Sequence, residues 1–408
     1  MRLPYSRQTV GDREAEAVAD AARAALLTGG PTLARFEAAL AERVGARHAI
    51  AVSSGTAALH VAYLAAGLDR GDAILTTPLT FVATANAAAY CRAVPRFADV
   101  DAHGALAPEA VARAVADGPA PKLVVPVHWA GHPADIEAIA AAAPEAIVVE
   151  DACHALGAEY QDATGAVHRV GGCAHSEMAV FSFHPVKTIT TGEGGAVTTN
   201  DGLLAERCRR LRDHGLVRDP GALPGADGPW CYALDELGFN YRLTDLQAAL
   251  GIVQLGRLGE FAARRAALAA AYASALRAVP SVRLVPPRAG TRSAWHLLPV
   301  RVPATARRAA FDRLRAAGIG VQVHYVPVHL QPYYRRLLGT RPGDFPAAEG
   351  LYREELSLPC FPEMEDDAVV EVVAVLGEAL ADASRTMKGA PAQGAGSGAN
   401  GRGDHPLC

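Results

Sequence analysis

No stretch of the chain stays apolar for the roughly 18 residues that a membrane span needs, although half of its 408 residues are hydrophobic. The opening "MRLPYSRQTV" has no apolar segment like that of a secretory leader. Charge of one sign is also missing: 39 basic residues face 43 acidic ones, for a net charge of −4. Without a basic stripe, a nucleic-acid partner is not expected. The seven cysteines are an odd set with no Cys-x-x-Cys pair, which points to buried, reduced thiols. Cys153-His154 with Cys173 and His175 invite a zinc reading, but their spacing fits no standard ligand pattern, and no metal is expected. There is no G-x-G-x-x-G after the first strand. "VSSGTAALH" stands there instead, which argues against a nicotinamide oxidoreductase. There is no internal repeat and no visible DNA-binding module. These absences leave a cytoplasmic globular protein with no membrane partner, long enough for a large domain and a smaller one.

From about residue 47 to 200, short apolar runs alternate with helical spacing. "HAIAVS", "AILTT", "VPRFAD", "KLVVPVHWA", "AIVVED" and "EMAVFSF" read as buried strands. Helices are expected near 55–67, 80–91, 108–117 and 134–143. This pattern predicts an α/β fold with a mostly parallel sheet covered by helices. A long helix over about 243–278 should bridge to a smaller α/β domain. The expected division is a large domain at 1–250, a small one with the bridging helix at 251–385, and a Gly-, Ala- and Ser-rich disordered tail at 386–408.

In such sheets, ligands bind beyond the carboxyl ends of the strands. Four strand ends carry candidate chemistry. In "SSGT", the amides of Gly55, Thr56 and Ala57 would open a helix and could hold a phosphate; they could equally be a plain helix start. Phe81, in "TTPLTFVATANA", could stack on a flat ligand or lie in the core. Asp151 ends a buried strand with His154 just beyond. A buried carboxylate needs a partner, and a cationic ring nitrogen would serve; read alone, Asp151 could also cap a helix. In "FSFHPVKTITTGEGG", Ser182 could reach the same phosphate as Gly55 and Thr56. Read alone, Lys187 would be a surface lysine; desolvated, its amine becomes nucleophilic. Gly192, Gly194 and Gly195 let the chain turn back beside a ligand. Phosphate clamp, aromatic plate, strand-end aspartate and isolated lysine form together the set that pyridoxal 5'-phosphate requires.

The motifs "SSGTAALH", "EDACHALGAEY", "FSFHPVKTITTGEGGAVTTND" and "LGFNYRLTDLQAALG" resemble those of the DegT/StrS-type sugar aminotransferases over roughly residues 4 to 383. The resemblance implies the aspartate aminotransferase (type I) fold and pyridoxal phosphate as cofactor. It implies that Lys187 holds the cofactor's aldehyde as an imine and that Asp151 pairs with the ring nitrogen. Phe81 would stack on the ring, with His154 close to its other side or its hydroxyl. Gly55, Thr56 and Ser182 would bind the phosphate. Asn240, in "GFNYRLTD", would reach the phosphate of the neighbouring subunit's cofactor, making an obligate homodimer with shared sites; read alone, it is a turn residue before the long helix.

"PYSRQT", "TFVATANAAAY", "FHPVKTITTGEGG", "SAWHLL" and "GVQVHYVPVHLQPYY" carry a closer likeness, to the family's pseudaminic-acid branch. It implies L-glutamate as donor and a UDP-linked 4-keto-6-deoxy-N-acetylhexosamine as acceptor. The alternatives are another nucleotide-linked 3- or 4-keto sugar, such as a dTDP sugar, or a non-catalytic regulator that binds the cofactor. For the nucleotide sugar, Tyr5 is a candidate for stacking and Thr28 for a hydrogen bond. Arg7 or Arg242 could meet its phosphates. His324, Tyr325 and His329 could line the cleft, or alternate with the valines of a packed strand.

Overall fold

The computed structural model describes residues 1–218, 228 and 230–389, with side chains up to residue 385. Most of the expected tail, 390–408, lies outside the described residues. The last helix, Asp366–Gly389, continues past residue 385, where the sequence places the start of that tail.

Seven strands form the central sheet: β1 (His48–Val52), β2 (Ala73–Thr76), β3 (Val94–Phe97), β4 (Leu123–Val125), β5 (Ile147–Asp151), β8 (Met178–Ser182) and β9 (Gly195–Thr199), in the order β1-β9-β8-β5-β4-β2-β3. A hairpin of β6 (Glu159–Gln161) and β7 (Val167–Arg169) sits between β5 and β8 in the chain. Six strands of the main sheet share one direction. Only β9 opposes its neighbours, β1 and β8. β9 is not among the six runs expected as strands, because its glycine-rich start reads as a turn. Gly195 opens β9 where a Cβ would sit 2.4 Å from the carbonyl oxygen of Ser54, so only glycine lets the two backbones come this close.

Side chains alternate between the two faces of the sheet. In β1, Ile50 and Val52 join the core around helix Gly55–Ala65, and Ala49 and Ala51 join the core on the other side with Phe36 and Phe261. In β8, Met178 and Val180 point to the first core, Ala179 and Phe181 to the second. Ser182 is in phase with Val180, and so it reaches the start of helix Gly55–Ala65.

The expected helices appear as Ala83–Tyr90, Pro108–Ala116 and Ile136–Ala142. Two short strands, β10 (Leu216–Val217) and β11 (Ala233–Leu234), pair beyond the sheet. The bridging helix is Asp245–Ala275, with Thr244 and Gln247 capping its start reciprocally. Its first half buries Leu255, Leu258 and Phe261 against the large sheet, and its second half buries Leu268 and Tyr272 in a separate core. That core lies under an antiparallel sheet of β12 (Arg283–Leu284), β14 (Leu298–Arg301) and β15 (Glu355–Leu358). The remaining strand, β13 (Thr291–Arg292), pairs with β6. Leu3, near the N-terminus, joins the second core beside Ile319.

"VQVHYVPVHL" is not a regular strand. Its ladder is one bridge, Gln322 to Ser357. The His324 amide instead donates to Glu355 Oε2 at 2.7 Å, and Pro327 lacks an amide to offer. The chain leaves the sheet there and carries Tyr325 to the cavity described next.

Candidate active site

A cavity of about 300 Å³ opens at the carboxyl ends of β1, β5 and β8. Asp151, the last residue of β5, is buried in its wall. Thr84 Oγ1 donates to Asp151 Oδ2 at 2.7 Å, and the Cys153 amide donates to Oδ1 at 3.2 Å. No helix starts at Asp151, which excludes the capping role. The carboxylate is held rigidly and faces the space a ligand would fill.

Lys187 follows β8 in a tight turn in which its amide donates to the His184 carbonyl at 2.8 Å. Ser6 Oγ donates to the Val186 carbonyl at 3.1 Å and ties this turn to the N-terminal segment. Lys187 is half-buried and lines the cavity. Burial lowers its pKa below the usual lysine value, and the nearby Cys153 and Asp151 oppose that shift only in part. A less protonated amine is a better nucleophile and base.

Gly55 and Thr56 begin helix Gly55–Ala65, with Ser54 as N-cap. Ser54, Gly55, Thr56 and Ser182 line one end of the cavity. A Cβ on Gly55 would lie 2.8 Å from Ser182 Cβ and 3.1 Å from Ser182 Oγ, so glycine is what lets strand end and helix start meet. Backbone amides at a helix N-terminus beside a hydroxyl form an anion cradle. Ala57 drops out of this set: its amide donates to Ser54 Oγ at 3.1 Å, and it does not line the cavity.

Phe81 is 56% exposed at the mouth, so it is not a core residue. Its ring centre lies 6.0 Å from that of Tyr325. His154 is buried, and its Nε2 lies 3.1 Å from the Tyr325 hydroxyl. Burial first, then Lys187 and His324, push the His154 pKa well below the ordinary histidine value. Burial raises the Tyr325 phenol well above its usual value. The imidazole is therefore neutral, and its Nε2 shares this hydrogen bond with the phenol. His154 Nδ1 is buried without a hydrogen-bond partner among the described residues. Tyr5 and His324 also line the cavity, with ring centres 5.6 Å apart. Burial lowers the His324 pKa to about 3, and its Nδ1 bonds Ser357 Oγ at 2.8 Å.

Other candidates stand elsewhere. His329 is fully buried, with Nε2 3.1 Å from Glu349 Oε1 and its ring against Phe345. It packs the fold and lines no cleft, because the turn Val328–Leu330 points it inward. Arg242 pairs with Asp213. Arg7 pairs with Glu363 and lies over the Phe361 ring. Thr28 is exposed beside Thr244. Asn240 is exposed and does not line this chain's cavity. Two neighbours of the site have no assigned role in the sequence, although both lie in quoted motifs, Thr84 in "TFVATANAAAY" and His296 in "SAWHLL". Thr84 carries the bond to Asp151 from the first turn of helix Ala83–Tyr90. His296 lies with its ring centre 4.3 Å from that of His154, from a distant part of the chain.

Comparison with known proteins agrees with this geometry. The model of the DegT/DnrJ/EryC1/StrS aminotransferase family matches residues 8–377. The spore coat polysaccharide biosynthesis protein SpsC of Bacillus subtilis is 37% identical over 378 residues, covering 91% of this chain and 95% of SpsC. Helicobacter pylori PseC, an aminotransferase involved in the biosynthesis of pseudoaminic acid, superposes with a TM-score of 0.85 at 29% identity, covering 94% of this chain and all of that one. The aminotransferase TlmJ of Streptoalloteichus hindustanus gives 0.84 at 31% identity, with 94% and 100% covered. Aminotransferases of this family use pyridoxal phosphate. The residues present fit that group: an amide-and-hydroxyl cradle suits its phosphate, a fixed carboxylate its ring nitrogen, and the unpartnered His154 Nδ1 a polar ligand. The chain belongs to the DegT/DnrJ/EryC1/StrS aminotransferase family and is a pyridoxal-phosphate-dependent sugar aminotransferase.

Proposed function

We propose that the chain moves an amino group from L-glutamate to C4 of a UDP-linked 4-keto-6-deoxy-N-acetylhexosamine. The observation that carries this reading is the convergence of Lys187, Asp151 and the Gly55–Ser182 cradle in one cavity, in a chain that superposes on PseC over 94% of its length. When bound, the cofactor supplies an electrophilic aldehyde and a ring that takes up negative charge from the reacting carbon.

The protein's own residues do the rest. Lys187 would hold the cofactor and, when its amine is free, would move a proton at the reacting carbon as base and then acid. Its lowered pKa keeps more of the amine free near neutral pH. Asp151, oriented by Thr84 and the Cys153 amide, keeps a proton on the ring nitrogen, so charge developing in the transition state meets a prepared counter-charge. Gly55, Thr56 and Ser182 hold the phosphate. Phe81 would stack on the ring, and His154, bonded to Tyr325, would stand at its other side or at its hydroxyl. Tyr5, His324 and Tyr325 line the path of the sugar nucleotide. Asn240, exposed outside its own cavity, serves the phosphate of the neighbouring subunit's cofactor, and the enzyme works as a homodimer.

A second reading has support too: SpsC, at 37% identity, is named for spore coat polysaccharide, so another nucleotide-linked keto sugar is the rival acceptor. A panel of UDP- and dTDP-linked 4-keto and 3-keto sugars with glutamate, read by product mass, separates the two. Amination of the UDP-linked 4-keto N-acetylhexosamine supports the first reading. Turnover of dTDP sugars alone overturns it and leaves the reaction class standing.

A further inference from the structure

Away from the cavity, the β6–β7 hairpin and the turn before β8 bring together three side chains that the aminotransferase reaction does not use. Asp162 follows β6, His168 lies in β7, and His175 precedes β8. Asp162 Oδ2 lies 2.7 Å from His168 Nε2 and 3.9 Å from His175 Nε2. All three donor atoms fall within 4.8 Å of one another.

We propose that Asp162, His168 and His175 form a binding site for one divalent transition-metal ion of the zinc type. Two imidazoles and a carboxylate are a ligand set of that class, with room for water at a fourth position. Tetrahedral ligands at zinc-like bond lengths stand about 3.3 Å apart, and the observed 2.7 and 3.9 Å bracket that edge. The carboxylate is aimed. Its Oδ1 accepts from the Thr164 amide at 2.9 Å, Thr164 Oγ1 at 2.6 Å and the Ala166 amide at 3.0 Å, so Oδ2 is turned toward the two rings. Such supporting bonds orient a ligand before the metal arrives. A hydrogen bond between Asp162 and His168 alone would hold the hairpin, but it leaves His175 Nε2 unexplained: that atom is buried and has no hydrogen-bond partner among the described residues. The side chains of His168 and His175 are about one-quarter exposed, at 26% and 25%, so an ion can enter from solvent. Cys173, the residue that first tempts a zinc reading beside His175, is not part of the site. Its Sγ donates to the Thr198 carbonyl at 3.4 Å.

The site would clamp the hairpin to the segment that leads into β8, the strand that ends at Ser182. The test uses the full cofactor-loaded chain, stripped with chelator, dialysed against zinc chloride and then against metal-free buffer, with zinc counted by mass spectrometry. His175→Gln removes a ligand whose Nε2 makes no hydrogen bond, so it should fold; His168→Gln is the second variant. Wild type should retain one equivalent more than either variant, with affinity at least about 10-fold tighter, and its Tm should rise with added zinc where theirs does not. Equal retention, or an equal Tm response, in wild type and His175→Gln would overturn the site.

Discussion

Thr84 donates its hydroxyl to Asp151 at 2.7 Å across 67 positions of sequence, from the first turn of one helix to the end of a buried strand. The carboxylate is thus oriented by a neighbour that lies in the motif "TFVATANAAAY" but has no role assigned from the sequence. Thr84→Val keeps the shape and removes the donor. It should lower turnover about 10-fold and stability by about 1–2 kcal/mol, the cost of a lost charge-assisted hydrogen bond. Asp151→Asn should cost on the order of 10²–10³ in turnover. Steady-state kinetics and urea unfolding check both; wild-type turnover in either variant would contradict this role.

Gly55 is the hinge of the anion cradle. Gly55→Ala sets a methyl 2.8 Å from Ser182 Cβ, and the strand end must shift. The expected result is at least a 10-fold loss of cofactor affinity, with about 1–3 kcal/mol of destabilisation from overpacking. Titration with pyridoxal phosphate, followed by absorbance, measures it.

Tyr325→Phe removes the only hydrogen-bond partner found for the His154 ring among the described residues. Both ring nitrogens would then be buried without a protein partner, which costs about 1–3 kcal/mol. Turnover should fall about 10-fold with little change in KM for glutamate. A change confined to KM would place Tyr325 in donor binding instead.

His132 tests how stability responds to acid away from the cavity. It is buried, with Nδ1 2.7 Å from Ser293 Oγ and Nε2 3.3 Å from the Val285 carbonyl. Burial lowers its pKa from 6.5 to about 3. The unfolded chain therefore takes up this proton first. The stability is fully present above about pH 6.5 and is lost as the pH falls toward 3. Between pH 7 and 5 His132 accounts for about 2 kcal/mol of that loss. Urea unfolding of His132→Asn should show a pH slope smaller by that amount; an unchanged slope would mean that another group carries the effect.

Much of the cavity could be read ahead of the structure because it hangs on strand ends. Asp151, Ser182 and Gly55 sit where buried apolar runs stop, and a parallel sheet gathers those stops along one edge. Other features follow from tertiary packing, which period and propensity do not encode. His329 has the same alternating neighbours as His324, yet one turn buries it against Glu349 while the other lines the cavity. β9 is missing from the expected strands because Gly192, Gly194 and Gly195 read as a turn, while pairing with β1 and β8 makes Gly195–Thr199 a strand. His175 stands near Cys173 in sequence, but its neighbours in space, Asp162 and His168, come from a hairpin that closes only in three dimensions.

Lys187 carries the central claim, and the chain makes it simple to test. It contains three lysines, Lys122, Lys187 and Lys388, and Lys122 is paired with Asp72 at 2.8 Å. Borohydride reduction of the pyridoxal-phosphate-loaded protein, followed by peptide mass mapping, should place one cofactor adduct on Lys187 and none on a Lys187→Ala variant. An adduct on Lys122 or Lys388 instead, or no adduct at all, would contradict the account.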